Sequence, residues 1–283
     1  MHQSMETGVN KPNHSFIDII ALESQSFEKD CHLSIQIGLN GFSFCINNSK
    51  EILAIESYNY SLSQLEENLK KNKWLAKNYA STNITINSKK FTIIPSLIYN
   101  NKDRKKYLEL NHVRIDQLDF LLDVVKPIES HIVYGISIAE QDIITTFFPK
   151  SKVKHFSSIY LPNMLTKYKN NDGQTMIVNI DYMQMQITVI ENSKLLFFNV
   201  FDYKSAVDCI YYILFVCEQL EINTEIIKLE FMGDIKKDYE LYDLAYTYIR
   251  HVNFVKRSVN LSPNIDSLQE HEYYTLLHQH LCE

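Results

Sequence analysis

Apolar and polar residues alternate over positions 33–37 and again over 42–46, on either side of the stretch Gly38-Leu39-Asn40-Gly41. A polar turn, Asn47-Asn48-Ser49-Lys50, is followed by an apolar, β-prone run at 52–58. Period-two patterning broken by short polar turns predicts a three-strand meander. Ser61-Leu62-Ser63-Gln64 reads as a capping box, and Leu62, Leu65 and Leu69 fall on one face of the helix behind it. Strands are expected at 83–87 and 91–95, a helix over 114–125 that stops before Pro127, and a strand at 131–136. A second capping box, Ser137 to Glu140, opens a helix that ends at Pro149. A short strand at 153–155 and a helix at 158–168 complete the first half.

Asn170-Asn171-Asp172-Gly173 is the clearest linker, and the pattern beyond it repeats. Strands are expected at 176–180, 186–191 and 195–201, the last two joined by Asn192-Ser193-Lys194. The helix that follows, 204–220, is nearly all apolar and is expected to be buried. The tripeptide Asn-Ser-Lys occurs at Asn48 and again at Asn192. With a one-residue gap in the turn, Ile35-Gln36 lies opposite Ile180-Asp181. Two meanders in register, each followed by a helix, indicate a duplication. A strand at 227–232, a helix over 239–250 with Leu241, Leu244, Ala245 and Tyr248 on one stripe, and a strand at 252–256 follow. Residues 1–15 read as a disordered leader. Residues 258–283 read as a separate tail whose short helix carries Leu268, Leu276, Leu277 and Leu281.

Composition narrows the chemistry. Only 6 of the 283 residues are glycine, where typical usage of roughly 7% would give about 20. Neither G-x-G-x-x-G nor G-x-x-x-x-G-K-[ST] occurs, which argues against dinucleotide and P-loop phosphate sites. The net charge of −6 disfavours nucleic acid as a partner, because phosphate backbones are bound by clustered positive charge. Five widely spaced cysteines, Cys31, Cys45, Cys209, Cys217 and Cys282, suggest neither a disulfide framework nor a zinc site. The N-terminal residues lack a signal-peptide core. The most apolar stretch, 210–217, falls far short of the ~20 residues that cross a bilayer. A cytoplasmic protein with no membrane partner is expected.

Two copies of β-β-β-α followed by further βα units resemble the ribonuclease-H-like duplication of the actin, sugar-kinase and heat-shock-chaperone superfamily. A closer resemblance rests on Gly41-Phe42-Ser43-Phe44, Phe91-Thr92-Ile93-Ile94-Pro95, the run Ser193-Lys194-Leu195-Leu196-Phe197-Phe198-Asn199-Val200-Phe201, and Tyr211-Tyr212-Ile213-Leu214. Gly233 and Tyr248-Ile249-Arg250 extend it. In this order, over about residues 30–257, the segments are similar to a Bacteroidetes family known as domain of unknown function 3822, whose fold is actin-like. The resemblance implies an α/β protein of two ribonuclease-H-like domains, 16–170 and 174–257, with an interdomain cleft. Active members of the superfamily hold Mg-ATP there through two Asp-x-Gly turns and a Gly-Gly step beside adenine. The matching positions are Gln36, Gly38, Asn40 and Gly41 in the first turn, Asp181 and Gln184 in the second, and Gly233 and Asp234 at the adenine element.

Each element departs from the pattern. Gln36 stands where the first aspartate should be, and a neutral amide cannot supply the charge that holds Mg²⁺. The second turn, Asp181-Tyr182-Met183-Gln184, keeps its aspartate and loses its glycine; the third has a single glycine with an acid behind it. Gly38 and Gly41 are expected to be turn glycines at positive φ. The expectation is a non-catalytic binding or scaffold protein with an unidentified protein partner. No cofactor is required, and Mg-ATP is the one a working cleft would take. The rival is an active ATPase or kinase that uses Asp181. A ribonuclease-H-type nuclease is disfavoured by Gln36 and the charge.

Other candidates read as structural. Asp116, Asp119 and Asp123 match the solvated face of a helix, and Lys102–Lys106 with Arg104 a solvated loop or helix start. His271, His278, His280 and Cys282 do not share one helical face, so no metal site is assigned to the tail. Tyr239, Tyr242, Tyr246 and Tyr248, with Tyr273 and Tyr274, suit either an interface or internal packing, and packing is favoured.

Overall fold

The computed structural model describes residues 12–59, 62–265 and 268–282. They fall into two compact units. The first runs to Ile159 and takes in stretches that begin at Val259 and Leu276. The second covers Tyr160–Ser258 and a stretch that ends at Thr275.

In the first unit, β1 (His14–Ile17), α1 (Ile19–Glu23) and α2 (Phe27–Asp30) lead into the meander β2 (His32–Ile37), β3 (Gly41–Asn47) and β4 (Ile52–Asn59). Then come α3 (Leu62–Lys71), β5 (Ser81–Ile86), β6 (Phe91–Pro95), α4 (Arg104–Glu109), β7 (Leu118–Val125), β8 (Ser130–Ser137), α5 (Ile138–Phe147) and β9 (Lys152–His155). The main sheet has the order β1-β4-β3-β2-β5-β9, and β6-β8-β7 form a smaller one. Alternation drives the main sheet. Leu33, Ile35 and Ile37 of β2 and Phe42, Phe44 and Ile46 of β3 bury one face against Leu65 and Leu69 of α3. At about 1.5–3 kcal/mol for each large apolar side chain, this face dominates the unit's stability. Ser61, the cap expected for α3, lies outside the described residues, as does the expected leader through position 11. His14 and Ser15, assigned to that leader from the sequence, belong to β1, which pairs antiparallel with β4.

The helix expected over 114–125 is instead strand β7. Its Asp spacing fits a helical period, but the strand pairs with β8 over its whole length, Leu118 opposite Ser137 through Val125 opposite Ser130. Leu118, Phe120 and Leu122 then pack on Ile94, Leu108, Ile115 and Val133. Tertiary pairing overrides the local pattern here.

α6 (Phe156–Lys167) leads into the second unit, which repeats the first. Its elements are β10 (Gln174–Asp181), β11 (Gln184–Glu191), β12 (Lys194–Asp202), α7 (Ala206–Gln219), β13 (Lys228–Gly233), α8 (Glu240–Tyr248) and β14 (His251–Phe254). The sheet order β12-β11-β10-β13-β14 matches β4-β3-β2-β5-β9. In both, the first strand of the meander runs parallel to the fourth. The duplication read from sequence is therefore present as topology. α7 is only half covered. Cys209, Ile210, Ile213, Val216 and Cys217 enter the core, while Val207, Tyr211 and Phe215 are exposed. This corrects the expectation of a wholly buried helix.

The C-terminal stretch holds α9 (Tyr274–His278) and a 3₁₀ turn, Gln279–Cys282, but it is not a separate tail. Leu261 bridges to Ile52, the Ile52 N–H donates to the Asn260 carbonyl, and Ser262 N–H donates back to Ile52. Asp18, only 5% exposed, is the other anchor. It caps α1 by accepting from Ala21 N–H at 3.0 Å, and it also accepts from Asn264 Nδ2 at 2.9 Å and from the Ser262 hydroxyl. Replacing it removes a cap and leaves the buried Ser262 hydroxyl short of a partner. Asp18→Ala is expected to cost about 1–2 kcal/mol, read as a lower urea midpoint at unchanged slope.

Candidate functional site

The candidate residues of the first unit lie where β2 and β3 meet. In the parallel register Gln36 sits beside Thr85 of β5, and across the antiparallel pair it faces Ser43 of β3. Its neighbours Ile35 and Ile37 point into the core, so Gln36 lies on the opposite, polar face. Its Oε1 and the Thr85 Oγ1 are buried without a protein hydrogen-bond partner. The carboxyl ends of parallel strands are where open α/β sheets place ligands. Here that position offers neutral amide and hydroxyl groups. The turn closes with Gly38 N–H donating to the Gly41 carbonyl at 2.8 Å. Neither Gly38 nor Gly41 has positive φ, contrary to expectation. Gly41 is required for space, since a Cβ there would stand 1.9 Å from the Tyr58 carbonyl oxygen of β4. Asn40 is half-buried in the same turn.

The second unit changes which residue answers to Gln36. The last parallel pair of β2 and β5 is Ile37 with Ile86, and that of β10 and β13 is Ile180 with Gly233. Ile180 and Val178 enter the core, as Ile37 and Ile35 do. The residue between them is Asn179, not Asp181. Both equivalent positions therefore carry amides. Asn179 Nδ2 donates to Gln186 Oε1, its cross-strand partner, and Gln186 Nε2 donates to Gln184 Oε1 at 3.3 Å. All three side chains are buried. Asp181 ends β10 and accepts from Tyr182 N–H at 2.7 Å, ordering the two-residue turn Tyr182-Met183, whose side chains are exposed. Met183 takes φ +49, a left-handed conformation that glycine would adopt without strain. The Tyr203 hydroxyl donates to the Asp181 carbonyl. Burial foremost, then the charges of Cys209, Asp234 and Asp181, push that hydroxyl's pKa up.

At the adenine element Gly233 has φ +85, and a Cβ would lie 2.1 Å from the Ile180 carbonyl. Its N–H donates to the His271 carbonyl at 3.1 Å. Exposed Asp234 donates its N–H to Ile180. His271 is a packed core residue. Its Nε2 donates to the Ile235 carbonyl at 2.7 Å, its ring stacks on Phe254, and burial lowers its pKa. The side chain of Cys282 lies outside the described residues, and among those described no three His, Cys, Asp or Glu come together as a metal site. Lys102 and Arg104 flank the start of α4, where Lys106 pairs with Asp103 at 2.8 Å. Of the tyrosines, Tyr274 is buried and Tyr242 stacks on Phe254, whereas Tyr239, Tyr246 and Tyr248 are exposed.

A buried polar cluster escaped the sequence reading. Asp123, expected on a solvated face, is 8% exposed and accepts from His155 N–H at 2.7 Å. Burial raises its pKa, opposed by Ser158, the His155 N–H, Lys154 and Tyr134. His155 caps α6: its Nδ1 accepts from Ser157 N–H at 3.1 Å and its Nε2 donates to the Ser88 carbonyl at 3.0 Å. With both nitrogens engaged the ring is neutral and structural. The strand assignment of β7, absent from the pattern, is what would have revealed this cluster.

Two sheets of the same 3-2-1-4-5 order, one in each half of the chain, define the actin-like ATPase fold. The chain belongs to the family described as "Protein of unknown function (DUF3822)", whose model matches residues 23–252. A protein from Bacteroides thetaiotaomicron with actin-like ATPase fold and unknown function is similar to it at TM-score 0.74 and 23% identity, over 84% of this chain and 93% of that one. A chain of a PilM–PilN type IV pilus biogenesis complex is similar at TM-score 0.60 and 11% identity, over 89% and 98%. No curated protein matches the sequence. Among the described residues no helix is long and apolar enough to cross a membrane.

Burial holds the His155 pKa down at about 4, from 6.5. The unfolded chain therefore binds the extra proton first, and stability is lost as pH falls from 6.5 toward 4. Between pH 7 and about pH 5, wild type is expected to lose about 2 kcal/mol more than His155→Asn, read from urea midpoints of both proteins at each pH.

Proposed function

We propose that this chain is a non-catalytic binding or scaffold protein built on an actin-like ATPase fold. One observation carries the reading: the two matching strand positions, Gln36 and Asn179, are both amides, and that of Asn179 is committed to Gln186. Magnesium is held by carboxylate oxygens and phosphate together, and neither position supplies a negative charge. The residues do not fit Mg-ATP in other respects. Exposed Tyr182 and Met183 occupy the second turn, where a phosphate needs open backbone, and the Gly233 N–H already donates to His271. No reaction step is derived through a nucleotide.

A protein is the partner class this reading favours. The PilM–PilN complex supplies the analogy, since a chain of like fold there is part of a protein assembly. The rival reading, an ATPase or kinase, draws on Asp181 and Asp234, whose charges both bear on Tyr203.

Calorimetric titration with Mg-ATP separates the two, followed by phosphate release from wild type and Asp181→Asn. A flat titration and background release from both proteins are expected. Micromolar binding with turnover abolished in Asp181→Asn would overturn the proposal in favour of the enzyme.

A further inference from the structure

The polar face of the first sheet is closed by the end of the chain. The turn Gln279–Cys282 packs on β2 and β5, and Leu276, Leu277, His278 and Gln279 before and within it are buried. Cys45 of β3, fully buried on that face opposite Ser34, donates its thiol to the Leu276 carbonyl at 3.7 Å. A thiol is a weak donor. Thr85 Oγ1 in the sheet and Gln279 Oε1 in the turn are buried with no hydrogen-bond partner in the protein.

Two such atoms, one on each side of the same contact, mark a cover that is not matched to what it covers. Closing it strips water from both, and opening it returns water to both. The opposite face of the sheet cannot open so readily, because Leu33, Ile35, Phe42 and Phe44 pack there against α3 and their exposure is costly. Ser34, Gln36, Asn83 and Thr85 on the covered face are groups that water accepts. The second unit provides the contrast: there Tyr160 is bonded to Thr188 and Tyr168 to Glu230 across the corresponding contact.

We infer that residues 276–282 form a releasable strap, an autoinhibitory contact that closes the polar face of the first sheet and opens while the rest of that unit stays folded. The face reaches the carboxyl ends of the parallel strands β2 and β5, where open α/β sheets place ligands. A ligand for this face and the strap therefore exclude one another. The contact is independent of nucleotide and holds whether or not the chain is an enzyme.

Thiol labelling of the full chain tests this, with Cys282→Ser so that the strap itself carries no thiol. A small alkylating reagent is added under native conditions, and each cysteine is read separately by mass spectrometry after digestion. Cys45 lies beneath the strap, whereas Cys31 lies in the apolar core. Burial pushes both thiols up, Cys45 to about 12 and Cys31 to about 11, so each reacts only when uncovered. Cys45 should label at least about tenfold faster than Cys31, which waits for the unit to unfold. Thr85→Val removes an unpaired hydroxyl beneath the closed strap at nearly constant shape, and should slow Cys45 labelling at least about threefold. A smaller ratio of Cys45 to Cys31 overturns the inference. So does a smaller slowing in Thr85→Val, or an acceleration, the mark of a hydroxyl that ordered water already satisfies when the strap is closed. Circular dichroism checks each variant's fold. Wild type replaces Cys282→Ser if that variant does not fold, and Gln279→Met replaces Thr85→Val, making the same test from the side of the strap.

Discussion

The structure depends on covering, in each sheet, a second face that mixes buried polar groups with apolar ones. The core faces are ordinary: β-branched and aromatic residues against a helix. The opposite faces carry Ser34, Gln36, Asn83 and Thr85 in the first unit, and Thr175, Asn179, Gln184, Gln186 and Thr188 in the second. A polar group removed from water without a partner costs about 1–3 kcal/mol in proteins, so whatever covers these faces must bring hydrogen bonds with it. In the second unit α6 and the residue that follows it do so: Tyr160 shares a hydrogen bond with Thr188 at 2.8 Å, and Tyr168 donates to Glu230 at 2.6 Å. In the first unit the cover comes from the C-terminal stretch, where the Cys45 thiol donates to the Leu276 carbonyl. The last helix of the first half thus serves the second unit, and the end of the chain serves the first. Each repeat is completed by a segment that lies outside it in sequence.

This exchange explains which parts of the fold were legible. The meanders were, because alternation and turn residues act over a few positions. So was the Ser137–Glu140 capping box, whose reciprocal bonds depend on four consecutive residues. The strand β7 was not, since its aspartate spacing imitates a helix and only its pairing with β8 decides. The C-terminal stretch was read as an appendage because nothing local marks Asn260 to Asn264 as partners of Ile52 and Asp18. The covered and bare sides of α7 were likewise hidden: its sequence is nearly all apolar, and composition does not record which apolar residues meet a neighbour.

The two turns that hold the candidate residues were legible in position, and the equivalence between them was misread in register. Sequence places the two turns correctly, but a one-residue gap set Asp181 opposite Gln36, and the parallel pairing with β13 moves that equivalence to Asn179. The shift matters chemically. A strand-end aspartate that caps its own turn is a common surface feature, whereas a buried amide between core residues is a choice made in the interior of the sheet.

That interior choice is not undone by one substitution. Asn179 donates to Gln186, and Gln186 donates to Gln184, so the amides run in one direction along adjacent strands. An aspartate at 179 would set an acceptor against the Gln186 oxygen. Turning the Gln186 amide to meet it would in turn strip Gln184 of its donor. The new charge would also be buried with no cation among the residues placed around it here, and burying an unpaired ion costs several kcal/mol. Gln36 faces the same constraint from the other sheet, beside Thr85 and Ser43, which are neutral. Beside Gln36 and Asn179 the polar faces thus present uncharged side chains, while charge lies one strand further out, at Lys154 of β9, and one pair back, at Glu230 of β13.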